Sequence, residues 1–441
     1  MHTLEQLRAG ELAGIQRLQL RGDLTAFPRE IFDLADSLEI LDLSGNQLSS
    51  LPDDLPRLYK LRVIFCSDNA FTELPDVLGQ CPQLSMVGFK ANRIVHVSAH
   101  ALPPLLRWLI LTDNALSSLP ASIGDCTHLQ KLMLAGNQLL ALPPALARCT
   151  RLELLRISAN QLTELPAWLL HMPRLTWLAF AGNPFTQTLE ARALAQASTP
   201  LITWQRLQLQ QLLGEGASGL IHQAAWHHET GKEAVAVKLF KGAVTSDGLP
   251  DCEMAACLHA GEHPHLVSAL ARVTAHPQQK QALVMPLIAP DFVNLAGPPS
   301  LESCTRDVYA ADKRLNWPAT VRVAQGIASA AQHLHVRGIM HGDLYAHNIL
   351  HTTQGDALLS DLGAASFFDL SHAAQAQDLE NIEVRALGCL LEELAAHCNA
   401  ALKEASQHKV LVELAQQCLH DTPTQRPSMA QICAMLDALQ A

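Results

Sequence analysis

The sequence contains no apolar run of about 18 residues, and its basic residues are outnumbered by its acidic ones. The first absence argues against a membrane-spanning helix. The second, 31 Lys and Arg against 42 Asp and Glu with a net charge of -11, argues against general nucleic-acid binding, which needs a basic surface. No apolar segment of a secretory signal follows Met1. We therefore expect a cytoplasmic protein whose 11 cysteines stay reduced.

Charged residues are scarce as well, at 17%, whereas apolar residues make up 49%. Such a composition buries a core easily and argues against wholesale disorder. The length of 441 residues suffices for two or three domains. A breaker-free, helix-like stretch at residues 188–198 is followed by Thr199-Pro200, with no Gly/Ser-rich or charged linker after it. We predict one domain at residues 1–200, capped by that helix, and a second at residues 204–441.

Asparagines recur through the first half at intervals of 23, 23, 22, 23, 23 and 23 residues. Around them lies the frame L-x-x-L-x-L-x-x-N-x-L-x-x-L-P, and an imperfect first copy around Leu18 has Asp23 in the Asn place. Over about residues 15–185 this frame resembles the leucine-rich repeat family. In each copy we expect L-x-L to form a short strand, the Asn amide to bond the following turn, and Leu-Pro to start the convex side. The asparagines are Asn46, Asn69, Asn92, Asn114, Asn137, Asn160 and Asn183.

The strands of such an array leave the side chains between the leucines on the concave face. Many of these are large and apolar, where a soluble array would normally carry polar groups. We interpret the tract as a surface for a protein partner; the alternative is that it is covered within the molecule or by a second copy. The tract consists of Phe65, Met86, Trp108, Ile110, Met133, Leu154 and Trp177.

Cysteine and histidine are frequent enough to raise the question of a transition-metal site. Cys81, Cys126 and Cys149 fall at one phase of the convex segment, which favours buried thiols over metal ligands. His263 and His265 belong to a tight histidine group without the spacing of a zinc finger. We therefore expect no zinc site.

A glycine-rich stretch opens the second domain. Its glycines form G-x-G-x-x-G between two strand-like runs rather than before a helix. A hairpin of this kind can cover phosphates with its backbone amides, whereas a dinucleotide-binding fold places the glycines before a helix. The stretch consists of Gly214, Glu215, Gly216, Ala217, Ser218 and Gly219.

Polar groups for phosphate chemistry follow in a fixed order. Lys238 ends a strand-like run, and Glu253 comes fifteen residues later in a helical stretch. Further on, Asp343 and Asn348 are five residues apart, and Asp361 follows Asn348 after thirteen. Between Asn348 and Asp361, the apolar runs at residues 349–350 and 358–359 predict a hairpin. This hairpin would set the carboxylate of Asp361 beside that of Asp343.

These motifs, in this order, resemble the protein kinase family over the whole second half. The resemblance implies ATP and Mg²⁺ as cofactors, and it implies a role for each polar group. Asp343 would be the catalytic base, Lys238 the phosphate contact held by Glu253, and Asn348 and Asp361 the magnesium ligands. Residues 214–219 would cover the phosphates. Met285, as gatekeeper, and the amide of Ile288 would contact adenine.

The stretch at residues 341–348 resembles the catalytic loop of the family, H-R-D-x-x-x-x-N, and departs from it at two residues. Gly342 replaces the Arg that pairs with a phosphorylated activation segment, and Tyr345 replaces a Lys that helps to neutralise the transferred phosphoryl group. The segment after Gly363 runs to about residue 382, lacks an A-P-E motif, and offers only Ser366 and Ser371 as phosphorylation sites. We therefore expect activity that does not depend on phosphorylation of this segment.

Two charged residues of the C-terminal part also match family positions. Glu383 stands where the central helix of the large lobe usually carries Asp. Arg426 normally pairs with the A-P-E Glu, and Asp378 and Glu380 are candidate substitutes for that missing partner.

The sequence thus predicts an α/β repeat solenoid, a leucine-rich repeat horseshoe, followed by an α+β bilobal protein-kinase-like domain. The predicted function is that of an ATP-dependent protein kinase, of serine/threonine type, whose repeats recognise a partner or substrate. The alternative is a nucleotide-binding pseudokinase scaffold. A third reading, phosphorylation of a small molecule, would suit the short activation segment.

Overall fold

The computed structural model describes residues 2–197, 199–216, 218–229, 231–242 and 244–439. The chain forms two compact units, Met1–Met172 and Pro173–Ala441. The last predicted repeat therefore belongs to the second unit. The sequence-based division at residues 200–204 stays a prediction.

The first unit is a stack of parallel three-residue strands. It opens with helix α1 (Leu4–Arg8), whose Thr3 and Gln6 form a reciprocal cap. Each strand pairs with the next in sequence, so the sheet order follows the chain. The strands are β1 (Arg17–Gln19), β2 (Ile40–Asp42), β3 (Val63–Phe65), β4 (Met86–Gly88), β5 (Trp108–Ile110), β6 (Lys131–Met133) and β7 (Leu154–Arg156).

The convex side of this unit is made of short helical turns. Most of them begin directly after the Pro of a Leu-Pro pair, because the fixed φ of proline suits the residue that precedes a helical turn. The predicted role of Leu-Pro is therefore confirmed. The turns are Arg29–Leu34, Leu55–Arg57, Asp76–Gln80, Ala121–Asp125, Pro144–Arg148 and the short helix α2 (Ala167–Leu170).

The asparagine ladder bonds neighbouring repeats as expected. The Asn137 amide donates to the carbonyl oxygens of Leu134, 2.9 Å away in its own turn, and of Leu111, 2.9 Å away in the preceding one. Its Oδ1 accepts from the Leu116 N–H at 3.0 Å. Each asparagine of this kind satisfies backbone groups that would otherwise be buried without partners.

The concave face is less exposed than the sequence predicts. Met86, Met133 and Leu154 are buried, while Phe65, Trp108 and Ile110 are half-buried. Phe65 lies over the next strand, since a Cβ added to Gly88 would meet its ring at 2.5 Å. The expectation that Trp177 is available to a partner is wrong, because this residue is 2% exposed and packs within the second unit.

The buried convex cysteines match expectation. Cys81, Cys126 and Cys149 are 1%, 4% and 0% exposed. Burial raises the pKa of the Cys149 thiol to about 12, so it carries the character of a small apolar group rather than of a metal ligand.

The second unit begins with β8 (Trp177–Ala179), the strand of the last repeat, and helix α3 (Gln187–Gln196), which matches the predicted helix. Glu190 of α3 accepts a hydrogen bond from the Gly182 N–H at 2.7 Å, which fixes the start of the helix to the turn after β8. Leu194 and Ala197 pack against the apolar cluster of Phe240, Met254, Leu258 and Leu283.

A six-stranded, mostly antiparallel sheet with one helix follows. Its order is β10-β11-β12-β14-β13-β9, and the edge strand β9 runs parallel to β13. Alternate side chains of the central strands, such as Val235 and Val237, are fully buried in one apolar core. The elements are β9 (Leu201–Thr203), β10 (Leu207–Glu215), β11 (Gly219–His228), β12 (Gly231–Phe240), α4 (Pro250–Ala260), β13 (Ala271–Thr274) and β14 (Ala282–Pro286).

The remainder is mainly helical. Helix α5 is buried along most of its length and contacts α6 and α8. The predicted hairpin is present as β18 paired with β19. The elements are β15 (Val293–Asn294), β16 (Leu315–Asn316), α5 (Trp317–His335), β17 (Ile339–Met340), β18 (Ile349–His351), β19 (Ala357–Leu359), β20 (Ser366–Phe367), α6 (Ala373–Ala396), β21 (Cys398–Asn399), α7 (Ala405–Cys418) and α8 (Met429–Asp437).

The predicted end of the activation segment is wrong. Helix α6 starts at Ala373, so the segment after Gly363 reaches only residue 372. The segment is shorter than predicted because the Ala- and Gln-rich residues 373–382 form the first turns of this helix. Among the described residues, no helix is both long and apolar enough to span a bilayer.

Candidate active site

A cleft of about 560 Å³ lies between the strands and the helical part of the second unit. Many of the residues predicted for a nucleotide site line it. Gly214 and Glu215 lie outside it on β10, and Ala217 falls outside the described residues. The predicted residues that line the cleft are Gly216, Ser218, Gly219, Lys238, Glu253, Met285, Ile288, Asn348 and Asp361.

The predicted ion pair at the back of the cleft is present. Lys238 on β12 contacts Glu253 on α4, and both side chains are at least nine-tenths buried. Burial lowers the pKa of Lys238, but the carboxylates of Glu253 and Asp361 together raise it above its usual value. The lysine is therefore a fixed positive charge at this wall of the cleft.

The glycine-rich hairpin approaches Lys238 closely. A Cβ added to Gly219 would lie 2.6 Å from the backbone oxygen of Leu239, so only glycine fits there. By contrast, Gly214 and Gly216 have open space around them. Glu215 turns to the surface and pairs with Lys241 at 2.6 Å, which explains why it does not line the cleft.

Strand β14, which leads out of the sheet, and the residues directly after it line the cleft and include the two predicted to contact adenine. Met285 pairs with Ala236 of β12, and both residues line the cleft. Pro286 follows without an N–H, as the sequence requires. Within the described ranges, the Ile288 N–H has no protein acceptor, so it is available as a donor.

The catalytic-loop candidates are joined by hydrogen bonds. The Asn348 amide nitrogen donates to Asp343 twice, to its backbone oxygen at 3.0 Å and to its carboxylate Oδ2 at 2.8 Å. Ser360 ties the two strands of the hairpin to this loop, since its N–H and hydroxyl donate to the Asn348 carbonyl at 2.9 and 2.8 Å. Asp361 follows directly after Ser360.

The backbone at Asp361 is itself unusual. This residue has a φ of 58°, in the left-handed region that few side chains adopt. Its Oδ1 accepts from the Gly363 N–H at 3.1 Å. A Cβ added to Gly363 would lie 3.0 Å from that oxygen and 3.7 Å from Glu253 Oε2. The second predicted metal ligand is therefore a near neighbour of the buried ion pair.

Glu383 of α6 fixes the catalytic loop through hydrogen bonds to its backbone. Its two carboxylate oxygens accept the N–H groups of Gly342 at 2.8 Å and of His341 at 3.1 Å. His335 contacts the same carboxylate at 2.5 Å. Burial would raise the pKa of Glu383, but His335, His341 and the Gly342 N–H hold it below its usual range. His341 itself is fully buried and contacts the Ser360 carbonyl at 3.0 Å.

The sequence reasoning missed one partner of the loop. Asp307 accepts from the His347 N–H at 2.9 Å, and its carboxylate contacts the His347 ring at 2.7 Å. Asp307 lies in the long connection before α5. Nearby Arg306 pairs with Glu392 and Glu393 of α6. Charge pairs therefore fix this connection in place, and the spacing of the motifs does not predict them.

A second group was missed as a partner of the loop. The ring of Trp177 from β8 stacks on Tyr345, with centroids 4.0 Å apart and an angle of 9°. Its Nε1 donates to the Leu344 carbonyl at 3.0 Å. The Phe180 N–H donates to Ser366 Oγ at 2.9 Å. Trp177 was visible in the sequence, but only as a member of the repeat face.

Neither candidate partner for Arg426 is correct. This guanidinium donates to the backbone oxygens of Asn381, His420 and Pro173 at 2.8, 2.9 and 2.8 Å. Glu380 instead accepts from the Met429 N–H at 2.6 Å. Three carbonyl groups thus replace the carboxylate.

In the part of the chain that the structure describes, no three His, Cys, Asp or Glu side chains are arranged to hold a metal ion.

Comparison with known families agrees with this geometry. The family model described as protein tyrosine and serine/threonine kinase matches residues 207–393. Two leucine rich repeat models match residues 37–58 and 127–185. The chain therefore carries leucine-rich repeats, followed by a domain that matches the protein kinase family.

Individual relatives are similar to parts of this chain. A probable serine/threonine-protein kinase of Dictyostelium discoideum is 26% identical over 267 residues, 52% of this chain and 16% of the relative. CBL-interacting protein kinase 22 of Oryza sativa subsp. japonica is 32% identical over 181 residues, 39% of each chain. The probable inactive serine/threonine-protein kinase roco10 of Dictyostelium discoideum is 36% identical over 123 residues, 26% of this chain and 4% of the relative. The chain thus spans well under two thirds of these relatives.

Proposed function

We propose that this chain transfers the γ-phosphoryl group of Mg-ATP to a hydroxyl group of a protein, of serine/threonine type. The observation that carries the proposal is the convergence of Lys238, paired with Glu253, and of Asn348 and Asp361 on one cleft. Asp343 is not among the lining residues of the cleft and is joined to it through its hydrogen bond with Asn348. The three acidic residues, the lysine and the asparagine to which the family resemblance assigns roles are present, and catalysis of this reaction is mostly positioning and charge stabilisation.

The residues suit the two groups that a kinase must hold. Because the Asn348 nitrogen donates to Asp343, its amide oxygen is the remaining ligand atom, and Asp361 offers carboxylate oxygen. Oxygen ligands are those that Mg²⁺ prefers. The ion would offset negative charge on the phosphates.

The remaining roles belong to the chain's own groups. Lys238 would bind the phosphates, and Ile288 would donate to adenine. Asp343 would accept the proton of the substrate hydroxyl while the hydroxyl oxygen forms a bond to the γ-phosphorus. The bond between that phosphorus and ADP would break, and ADP would leave.

The rival function is nucleotide binding without transfer. One relative that shares 26% of this chain is named inactive. Against this reading, Gly342 and Tyr345 have packing roles of their own at the last repeat strand, so their departure from the family pattern needs no loss of catalysis to explain it.

The test is phosphoryl transfer from labelled Mg-ATP to a mixed protein substrate. We expect label with wild type, and loss of label with Asp343→Asn and with Asp361→Asn. Asp312→Asn, an exposed change in the same unit, serves as the control and should label like wild type. Label in no sample, with retained binding of a fluorescent ATP analogue, would favour the pseudokinase. Acid hydrolysis of the product would show whether Ser, Thr or Tyr is labelled.

We further propose that the repeats recognise a protein partner through the half-buried concave residues Phe65, Trp108 and Ile110. Aromatic residues are favoured anchors at interfaces. Crosslinking of wild type and Trp108→Asp in cell extract, with phosphoryl transfer to a generic substrate measured in parallel, would test this. A partner captured equally by both proteins would contradict the assignment.

A further inference from the structure

We propose that Trp177, from the strand of the last leucine-rich repeat, is a positioning residue for the catalytic base Asp343. The inference rests on the proposed function and extends it. It assigns to the repeat strand β8 the work of holding the catalytic loop in place.

Two residues of β8 and one residue directly after it contact the catalytic loop or the segment that follows Gly363. Trp177 donates to the carbonyl of Leu344 and stacks on Tyr345. A Cβ added to Gly342 would lie 2.7 Å from the Leu178 carbonyl oxygen. The Phe180 N–H donates to Ser366, whose hydroxyl donates in turn to the Ala364 carbonyl at 3.3 Å. Strand β8 therefore donates a hydrogen bond to the residue after Asp343 and packs closely against the residue before it.

Burial makes these contacts firm. Trp177 is 2% exposed and Tyr345 is 4% exposed, so neither ring can swing into solvent without opening the packing around it. The indole N–H fixes the direction of the stack as well as its distance. A buried aromatic pair with one hydrogen bond is a more rigid support than a surface ion pair.

The two departures from the family pattern are then one feature. Gly342 is required because the Leu178 and Ala364 carbonyl oxygens leave no room for a side chain. Tyr345 provides the ring on which Trp177 lies. An Arg and a Lys at these positions would remove the space and the ring respectively. At the two positions where the family carries cations, this loop instead packs against strand β8.

The consequence for catalysis concerns geometry. Asp343 lies between two anchored residues, so a shift of β8 would move its carboxylate. Displacement of a catalytic group by about 1 Å can reduce turnover about 100-fold. In the proposed function, nucleotide binding depends on Lys238, Ile288 and Asp361 instead. Loss of the Trp177 contact should therefore reduce kcat more than it changes the KM for ATP.

The test compares Trp177→Leu and Trp177→Phe in the full chain, with Trp168→Leu as matched control. Trp168 is a half-buried tryptophan of α2 on the convex side. We expect Trp177→Leu to lower kcat by about 10- to 100-fold, with the KM for ATP and the Kd for Mg-ADP within about twofold of wild type. Trp177→Phe keeps a ring for the stack and should recover most of the loss.

A double-mutant cycle separates positioning from general packing. If Trp177 acts through Tyr345, Trp177→Leu combined with Tyr345→Leu should lower kcat no further than the stronger single change. Unfolding curves at the assay temperature confirm that each variant is folded.

Three outcomes would overturn the inference: wild-type kcat in folded Trp177→Leu, an equal loss in Trp168→Leu, or multiplicative losses in the cycle. Failure of the proposed function is distinguishable, because wild type itself would then transfer no phosphoryl group, and the inference would fall with it.

Discussion

The backbone oxygen of Leu178 lies 2.7 Å from the position that a Cβ of Gly342 would occupy. Gly342 also has a φ of 74°, which L side chains adopt only at a cost. Two independent constraints, backbone conformation and space, therefore select glycine beside the catalytic aspartate.

The first prediction separates these two constraints. Gly342→Ala should lower the free energy of unfolding by more than the about 1–2 kcal/mol expected for a left-handed residue alone. Gly242→Ala is the control, since Gly242 has a φ of 78° and nothing within 4 Å of its would-be Cβ. Urea denaturation of both variants checks this. Equal losses would show that the Leu178 contact is irrelevant.

The second prediction concerns phosphorylation of the segment after Gly363. Ser366 is fully buried and holds the Phe180 N–H, so it should carry no phosphate. Ser371 is exposed and bonds Asp369 at 2.7 Å. We expect phosphopeptide mapping of active protein to find Ser366 unmodified, and Ser371→Ala to keep wild-type kcat.

Ser366→Ala is a structural change rather than a test of regulation. It would leave a buried N–H without its acceptor, at a cost of about 1–3 kcal/mol in the free energy of unfolding. A large loss of kcat in stably folded Ser371→Ala would contradict the view that activity is independent of phosphorylation here.

Repeats and motifs were predictable because each is local. The asparagine spacing and the L-x-L frame specify a turn and a strand within one repeat, and stacking copies them. The Lys238–Glu253 pair and the β18–β19 hairpin also followed, because the family motifs carry their own spacing.

Contacts between distant segments were not predictable. Trp177 and Tyr345 are 168 positions apart in the chain, and nothing in either local pattern announces their stack. Asp307 and His347 met through a connection without periodicity. The start of α6 was misplaced because it was set by the family position of Glu383, whereas the Ala- and Gln-rich residues 373–382 are themselves good helix formers.

The third prediction concerns acid stability. His263 contacts Ser329 Oγ at 3.1 Å and lies near His333, His265 and Arg337. Burial, followed by the positive charge of these neighbours, lowers the pKa of His263 to about 4, from an ordinary value of 6.5. The unfolded chain therefore binds this proton first. Stability should be full above pH 6.5 and should fall as the pH drops towards 4.

The variant His263→Gln keeps an amide that can reach Ser329 but cannot titrate. Its free energy of unfolding should fall less between pH 7 and 5 than that of wild type. His420→Asn, at an exposed histidine of the same unit, should follow the wild-type curve. Parallel curves for wild type and His263→Gln would show that His263 does not carry the acid sensitivity.

The fourth prediction tests the support beneath the loop. Glu383→Gln replaces one carboxylate oxygen by an NH₂ group that must face the N–H of Gly342 or His341. A buried N–H that loses its acceptor costs about 1–3 kcal/mol, and more where the lost partner is charged, so we expect a loss at or above the upper end of that range together with a fall in kcat. Glu380→Gln, three residues earlier on α6, removes charge from a single backbone hydrogen bond and should cost about 1 kcal/mol.

The stability of Glu383→Gln should also depend on pH differently from that of wild type. Because the pKa of Glu383 is held below its ordinary value, its contribution to stability is present above that ordinary value and is lost as the pH falls through the lowered one. Glu383→Gln should therefore start less stable at pH 7 and lose less stability on acidification than wild type. Chemical denaturation could instead give Glu383→Gln and Glu380→Gln equal stability at pH 7. The Glu383 carboxylate would then not be what fixes the backbone of His341 and Gly342, and the position of Asp343 would have to depend on strand β8 alone.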